Sequence, residues 1–448
     1  MRPSAGELAR RILALAAPTT LLSALQVAAL LIETWIAARL GREALAGWAV
    51  VLPFALLLGQ MSAGAMGGGV VGAISRALGA QRPEEAAALA LHALLIALGF
   101  ALLFIVPLAL FPFALLGWIG GPVAAAAGAP YAMTLFGLGA VPAWAANTLA
   151  SILRGAGRHG LAARVLNLAW MAYPALGFLL AETLGLGLVG LGLGFALCFW
   201  AAAAVMARVV FSGAAGFVPA LTLRLRWELF RRILAVGAVA CTLALVANLA
   251  TILVTARLAA HGAAAVAAYG VSARLEFMMI PLAFGVGSAL TALVGRAVGQ
   301  GDWETARRTA WVGGGMAFAL CSAIGATVAV FPLFFARLFA SDAEVAAIAA
   351  QALSYVGPAF GGFGLGMAMY FAAMGAGRMG WPVAAGLSRL LIAVGGGWLL
   401  GDALGLGMAG QFLAVALGIT AYGVLAAVAV RPGVWGPLTP PSPPSAHS

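Results

Sequence analysis

Very few ionisable side chains interrupt the long apolar segments of this sequence, and Glu33 is the clearest case. It lies in the stretch VAALLIETWIAA, where burial would favour the neutral, protonated carboxyl group. A carboxyl group that gains or loses a proton as its surroundings open to water can couple proton movement to a conformational change. The alternative is that Glu33 lies near the outer end of its helix and is solvated.

Two further residues precede Glu33 along the same predicted helix. Gln26 is seven residues earlier, two helical turns along the same face, so its amide can hydrogen-bond to the carboxyl group or to a bound molecule. A structural hydrogen bond between helices is the alternative for Gln26. Pro18 lacks a backbone N–H and is predicted to bend this helix before the carboxyl group.

A second set of ionisable residues lies in apolar segments of the other half of the chain. Arg274 and Glu276 are two residues apart and therefore point to different faces of one helix, and Arg389 follows at a comparable depth in a later segment. An unpaired arginine inside a membrane is hard to tolerate, so we expect these residues to form a structural ion pair, between Glu276 and Arg389. The functional alternative makes Glu276 a second protonation site or a contact for a cationic molecule.

These residues must lie in helices that cross a lipid bilayer. Of 448 residues, 64% are hydrophobic and 8% are charged, against about 25% charged in soluble domains. Apolar runs of about 20 residues recur along the chain, too long and too uniformly apolar for barrel strands. We therefore predict an all-α membrane protein with twelve transmembrane helices. The predicted spans are 12–38, 45–74, 86–110, 131–153, 165–181, 189–210, 233–256, 264–294, 309–331, 348–374, 383–400 and 408–430.

All 24 basic residues are arginines, and all but Arg274 and Arg389 are spread over many short loops. Most fall in loops on the side of the N-terminus. This excess predicts that both termini are cytoplasmic, in a multi-pass protein of the cell inner membrane. The dispersed charge argues against a nucleic-acid partner. The loops assigned to the opposite side hold Arg39, Arg42, Arg257 and Arg337.

The second half of the sequence repeats the first at a nearly fixed offset. The block Gly155-Ala156-Gly157-Arg158 returns as Gly375-Ala376-Gly377-Arg378, and Leu184-Gly185-Leu186-Gly187 returns as Leu404-Gly405-Leu406-Gly407. Arginine-bearing loops recur at matching positions, so the two halves have the same orientation and each must contain an even number of spans. Parallel repeats of this kind are one of the plans of secondary transporters, in which substrate binds between the halves.

Two parallel six-helix lobes follow from this repeat. The predicted divisions are 1–210 for the first lobe, 211–232 for a cytoplasmic linker, 233–430 for the second lobe and 431–448 for a disordered cytoplasmic tail. No Walker A loop, zinc-binding helix or nucleophile elbow is found in the sequence, and the three cysteines have no partner at ligand spacing. We therefore expect no enzymatic activity, no metal site and no cofactor.

The order of several short motifs resembles one transporter family. The first helix reads Pro18-x7-Gln26-x6-Glu33-Thr34 and continues into Ala38-Arg39-Leu40-Gly41, and a stretch of the second half runs from Ala267-Ala268-Tyr269-Gly270 to Gly299-Gln300-Gly301. Together with the two Gly-Ala-Gly-Arg blocks, these motifs resemble the multidrug and toxic compound extrusion (MATE) transporters. The resemblance implies a monomeric, twelve-helix, two-lobed exporter of small amphipathic, often cationic organic compounds, driven by protons or sodium. Related flippases of the same superfamily keep open an alternative, transport of a lipid-linked saccharide or another lipid.

The resemblance also implies roles for particular residues. Glu33 stands where the family has an aspartate in its first helix, and Asn167 matches an asparagine of the family's fifth helix, so both are predicted to take part in cation coupling. Gln26, Pro18 and Glu276 are predicted to line the substrate cavity. An acidic residue often found four positions after the asparagine is replaced by Met171. Because sodium needs several oxygen ligands, this loss favours protons over sodium as the coupling ion, with sodium remaining possible.

Overall fold

The computed structural model describes residues 3–220 and 225–436, and this part of the chain is helical with short turns. It contains twelve helices long and apolar enough to cross a membrane, which confirms the predicted all-α fold. They are α1 Ala5–Arg39, α2 Arg42–Gly79, α3 Pro83–Leu110, α4 Gly121–Gly155, α5 His159–Thr183, α6 Gly187–Phe211, α7 Trp227–His261, α8 Ala263–Gly299, α9 Trp303–Val330, α10 Ala343–Ala376, α11 Gly380–Ala403 and α12 Gly407–Val428.

The internal repeat of the sequence is also a repeat of backbone conformation. The turn after α5 places Gly185 and Gly187 at φ 68° and 56°, and the turn after α11 places Gly405 and Gly407 at φ 70° and 56°. Residues with a Cβ rarely adopt this left-handed conformation, which explains the repeated glycines. The two halves therefore turn in the same way between corresponding helices.

Contacts within the chain define two compact units, and their limits differ from the predicted lobes. One unit is Leu13–Cys241, and the other combines the described residues of Met1–Ile12 with those of Thr242–Ser448. The prediction ended the first lobe at residue 210 and began the second at 233. In the structure the start of α1 groups with the C-terminal unit, and the start of α7 groups with the N-terminal unit.

The predicted linker 211–232 is partly folded onto the N-terminal unit. The backbone N–H of Ala220 donates to the carbonyl oxygen of Ala87 in α3 (3.2 Å), and Arg232 pairs with Glu85 of the same helix. Helix α7 already begins at Trp227, inside the predicted linker. These contacts hold Ala220 and Arg232 against α3, and residues 221–224 lie outside the described part of the chain.

The predicted disordered tail 431–448 is wrong for its first six residues. Residues 431–436 form turns after α12 in which Trp435 is buried, and Arg307 of α9 donates to the Trp435 carbonyl oxygen (2.6 Å). Residues 437–448 lie outside the described part of the chain. The segment as a whole has low hydrophobicity, so the sequence did not indicate that the Trp435 side chain anchors its start.

These turns after α12 match the turns after α6. Gly433 and Gly436 have φ values of 90° and 82°, and Gly213 and Gly216 have values of 85° and 83°. The residue before the second glycine is buried in both cases, Trp435 in one and Ala215 in the other. The repeated unit thus includes a folded turn beyond its sixth helix.

Small residues let the helices of the N-terminal unit approach closely. A Cβ atom on Gly47 of α2 would lie 2.6 Å from the backbone nitrogen of Gly128 in α4, and one on Gly194 of α6 would lie 2.9 Å from Gly177 of α5. Such contacts between backbones are typical of helix packing in membranes. They bring α2 against α4 and α5 against α6 around the inward face of α1.

Candidate functional site

The carboxyl group of Glu33 is buried within the N-terminal unit and hydrogen-bonded by residues of two other helices. Only 8% of Glu33 is exposed. The indole Nε1–H of Trp48 in α2 donates to Glu33 Oε1 (3.0 Å), and the hydroxyl group of Tyr131 in α4 donates to the same oxygen (2.5 Å). Tyr173 of α5 is a further hydrogen-bonding neighbour of this carboxyl group. The alternative of a solvated carboxylate at the helix end is therefore wrong.

The orientation of Glu33 follows from the faces of α1. Ile32 and Trp35 are 44% and 52% exposed, whereas Glu33 and Ile36 are buried. The exposed side chains are apolar, as expected for a face towards lipid, and the carboxyl group points into the unit. The helix thus buries its one acidic side chain at this depth and leaves apolar ones outside.

The close approach of α2 and α4 brings the two hydrogen-bond donors together. Trp48 directly follows Gly47, and Tyr131 lies three residues after Gly128, and these two glycines touch. A Cβ on Gly128 would lie 2.7 Å from the carbonyl oxygen of Gly47. The glycine contact therefore sets the separation of Trp48 and Tyr131 around the carboxyl group.

Aromatic packing fixes Tyr173 on the remaining side. Its ring lies edge-on to Phe195 of α6 with centroids 5.5 Å apart, and Trp170 and Phe199 complete the cluster. Cys198 of α6 lies near the Tyr173 hydroxyl group. Edge-to-face packing of this kind restrains a ring beyond what its buried area alone provides. Tyr173 is therefore held in place independently of Glu33.

The described neighbours of the carboxyl group are an indole and two tyrosine hydroxyl groups. An indole N–H can only donate, whereas a tyrosine hydroxyl can donate to a carboxylate or accept from a protonated carboxyl group. The side chains can therefore remain hydrogen-bonded in both protonation states. Within residues 3–220 and 225–436, no group of three or more His, Cys, Asp and Glu side chains is arranged to hold a metal ion.

The other residues predicted for the site in the first half are not joined to Glu33 by a described hydrogen bond. Asn167 lies in α5, six residues or about 9 Å of helix before Tyr173, and its buried Oδ1 has no hydrogen-bond partner in the described structure. Gln26 is half-buried on α1. Pro18 lies within one continuous helix, Ala5–Arg39, rather than at an interruption. The cavity and coupling roles of these three residues stay predictions.

The predicted ion pair of the second half is present. Arg389 of α11 pairs with Glu276 of α8, and their side chains are only 14% and 6% exposed. The guanidinium carbon of Arg389 also lies 5.4 Å from the centre of the Phe363 ring. Arg274, two residues from Glu276, is exposed and does not belong to this pair. The pair thus leaves both charges compensated inside the C-terminal unit.

The position equivalent to Glu33 in the second half carries no carboxyl group. Glu33 lies six residues before Arg39, and the repeated motif Ala-Arg-Leu at 256–258 puts Thr251 six residues before Arg257. Trp48 has its counterpart in Tyr269, each seven residues after a glycine of positive φ. Tyr269 is buried, and its hydroxyl group hydrogen-bonds with Thr251. A neutral pair therefore replaces the Glu33–Trp48 contact.

Each half also has an ion pair between the end of its first helix and the end of its fifth. Arg39 of α1 contacts Glu182 of α5 through Nε–Oε1 (2.6 Å) and Nη2–Oε2 (3.0 Å). Arg257 of α7 contacts Asp402 of α11 (2.5 Å) and also donates to Gln411 (3.2 Å). From sequence, both arginines were predicted to lie in loops. A sequence signal for their partners exists, since each acidic residue lies two residues before a Leu-Gly-Leu-Gly motif.

Comparison with known proteins agrees with this architecture. The MatE family model matches residues 18–173 and 238–399. No curated protein matches the chain by sequence. Among solved structures, a transporter of the MOP superfamily from Pyrococcus furiosus, described as having a binding pocket of reversed polarity, is 22% identical, with a TM-score of 0.86 and coverage of 96% of each chain.

Two further structures have similar values. A MATE structure in a straight conformation is 23% identical, has a TM-score of 0.85 and covers 94% of this chain and 95% of its own. A mutant of the Vibrio cholerae MATE transporter VcmN is 22% identical, has a TM-score of 0.86 and covers 95% of this chain and 97% of its own. At these identities the structures establish the shared fold, and the family model matches well over half of the chain. The chain therefore belongs to the MATE family of membrane transporters.

Proposed function

We propose that this transporter, which as a MATE-family member is not an enzyme, exports small amphipathic, often cationic organic compounds in exchange for protons. The observation that carries the proposal is the Glu33 carboxyl group, buried in the N-terminal unit with Trp48, Tyr131 and Tyr173 around it. A carboxyl group in such a place favours its protonated form until the surroundings admit water. Alternating exposure of Glu33 to the two sides would then couple proton entry to export.

Several features favour protons over sodium as the coupling ion. Trp48 can offer only a donor to the carboxyl group, whereas a sodium site needs several oxygen ligands. Met171 also replaces an acidic residue that the family often has near Asn167. Sodium coupling is the alternative.

We also propose where the protein is located and that it acts as a monomer. The excess of arginines in one set of loops favours the cell inner membrane with both termini cytoplasmic. A monomer suffices, because each repeat already supplies one lobe of a transporter. Asn167, Gln26, Pro18 and Glu276 remain the residues proposed for coupling or for the substrate cavity.

Efflux from proteoliposomes tests the coupling directly. A fluorescent organic cation is loaded, and a pH gradient and then a sodium gradient are imposed on wild type, Glu33→Gln and Thr251→Val. We expect the pH gradient alone to drive efflux in wild type and in Thr251→Val, and Glu33→Gln to remove the gradient dependence while thermal unfolding stays unchanged. Thr251→Val is the matched control, since it alters the equivalent position in the C-terminal unit.

The other possible outcomes of this experiment distinguish among the alternatives. Efflux driven only by the sodium gradient would mean that sodium, and not the proton, is the coupling ion. Unchanged efflux in Glu33→Gln would mean that this residue takes no part in coupling. A wild type that moves none of a panel of organic cations under either gradient would favour the lipid flippase, and lipid-linked saccharide would be assayed next. Against that alternative, Arg389 is paired with Glu276 and is not free to bind a pyrophosphate.

A further inference from the structure

The C-terminal ends of α1 and α5 are joined by two successive contacts one helical turn apart. The first is aromatic, with Trp35 of α1 stacked on Phe178 of α5 at a centroid distance of 6.0 Å and an interplanar angle of 20°. The second is the two-point pair of Arg39 with Glu182. Residues four apart lie on the same helix face, so the two contacts form a ladder between the helices.

Arg39 connects the two contacts of this ladder. Its guanidinium carbon lies 5.0 Å from the centre of the Trp35 ring. A planar guanidinium can stack on an aromatic face while its edge binds both oxygens of a carboxylate, which a lysine could not do. The side chain of Arg39 is 51% exposed and that of Glu182 is 19% exposed, so the pair lies at the edge of the unit rather than in its core.

A local change of helix type directs Glu182 towards α1. The last residues of α5, Leu179–Thr183, form a π-helical turn, which is closed by the Leu184 N–H donating to the Leu179 carbonyl oxygen (3.0 Å). A π turn inserts one residue and rotates the side chains that follow, and such turns are enriched at functional positions. α11 ends in the same way, at Trp398–Ala403, with Asp402 in the equivalent place.

The ladder bears on Glu33 because both lie on the last turns of α1. Glu33 precedes Trp35 by two residues and Arg39 by six, so it points inward while the ladder residues face α5. Tyr173 lies five residues before Phe178 on α5. Fixing the ends of α1 and α5 together therefore fixes the distance between the Glu33 carboxyl group and Tyr173.

We propose that Arg39 and Glu182 are positioning residues that hold the end of α1 against α5 and so keep the Glu33 carboxyl group in contact with Tyr131 and Tyr173. The inference rests on the proposed role of Glu33 as the coupling residue. The described ionisable groups near the carboxyl group are Tyr131 on α4, Tyr173 on α5 and Cys198 on α6.

The matching pair of the C-terminal unit provides the control. Arg257 and Asp402 join α7 to α11 in the same way, but Thr251 takes the place of the carboxyl group there. Breaking that pair should therefore loosen a helix end without changing the labelling of Glu33.

Labelling of Glu33 by dicyclohexylcarbodiimide, a reagent for buried protonated carboxyl groups, tests the inference without any transport. Purified full-length protein is labelled across a range of pH and Glu33 modification is measured by mass spectrometry. The variants are Arg39→Gln, Glu182→Gln, the exchange Arg39→Glu with Glu182→Arg, and the controls Arg257→Gln and Asp402→Asn. We expect each single variant to label Glu33 about five times faster, which corresponds to the loss of an ion pair worth about 1 kcal/mol. The pH dependence of Glu33 labelling should shift in the same direction in both variants.

The sign of the shift separates positioning from direct electrostatics. Arg39→Gln and Glu182→Gln change the net charge in opposite directions, so shifts in opposite directions would overturn the inference, as would wild-type labelling in both. The exchange keeps the ion pair but loses the guanidinium stacked on Trp35, so it should restore wild-type labelling only in part. The controls should match wild type. If labelling responds as expected but no proton gradient drives efflux, the proposed function fails while the positioning role stands.

Discussion

The two halves of the chain share a backbone plan but differ in how they use acidic residues. In the N-terminal unit Glu33 is buried with hydrogen-bond donors and no described basic partner, whereas in the C-terminal unit Glu276 is buried against Arg389. A carboxyl group with neutral neighbours has no fixed countercharge, whereas one paired with an arginine belongs to a compensated charge pair. The same backbone plan therefore holds a carboxyl group among neutral donors in one half and a charge pair in the other.

The largest expected effect comes from breaking the fixed pair. Arg389→Met leaves Glu276 buried without its partner and should lower the free energy of unfolding by about 3–5 kcal/mol. Denaturant titration in detergent micelles measures this loss. Arg274→Met, which changes an exposed arginine two residues from Glu276, should stay within about 0.5 kcal/mol of wild type. A mild effect of Arg389→Met would mean that the pair is not a structural element of the C-terminal unit.

A smaller loss is expected from the contact that sets the geometry around Glu33. Gly47→Ala places a Cβ 2.6 Å from the Gly128 nitrogen, and such overpacking costs about 1–3 kcal/mol. Because α2 and α4 must separate, Trp48 and Tyr131 move apart and proton-driven efflux should fall. Gly59→Ala in the same helix is the matched control, since nothing lies within 4 Å of its Cβ. Equal stability and efflux in the two variants would contradict the role given to the glycine contact.

The smallest expected effect concerns the protonation of the Glu33 carboxyl group. Tyr131→Phe removes one donor to the Glu33 carboxylate, worth about 1.5 kcal/mol, and the loss favours the protonated carboxyl group. The pH dependence of efflux should therefore move to higher pH. Tyr269→Phe removes the corresponding hydroxyl contact with Thr251 and should leave the pH dependence unchanged. A shift of the same size in both variants would refute the assignment of titration to the N-terminal unit.

The residues that sequence alone could identify are those that conflict with their surroundings. Glu33, Glu276 and Arg389 were found because a charge inside an apolar segment is costly, and the twelve helices follow from segment length and hydropathy. The role of Glu33 in coupling remains a prediction.

The residues that sequence could not identify depend on the register between helices. Trp48, Tyr131 and Tyr173 come from three helices distant in sequence, and each is an ordinary aromatic residue of an apolar segment. Nothing in one sequence states which face of α4 meets α1. Glu182 was missed for another reason, because a π turn rather than an α-helical one determines its direction. Such turns result from packing and leave no periodic signal.

The folded turns after α6 and α12 bear on the origin of the repeat. Both carry two glycines of positive φ three residues apart, with a buried side chain between them. The repeated unit therefore extends to residue 216 in the first half and to residue 436 in the second, beyond the sixth helix of each half. Affinity tags or fluorescent fusions joined directly after α12 would remove the anchor of Trp435, so they belong after residue 436.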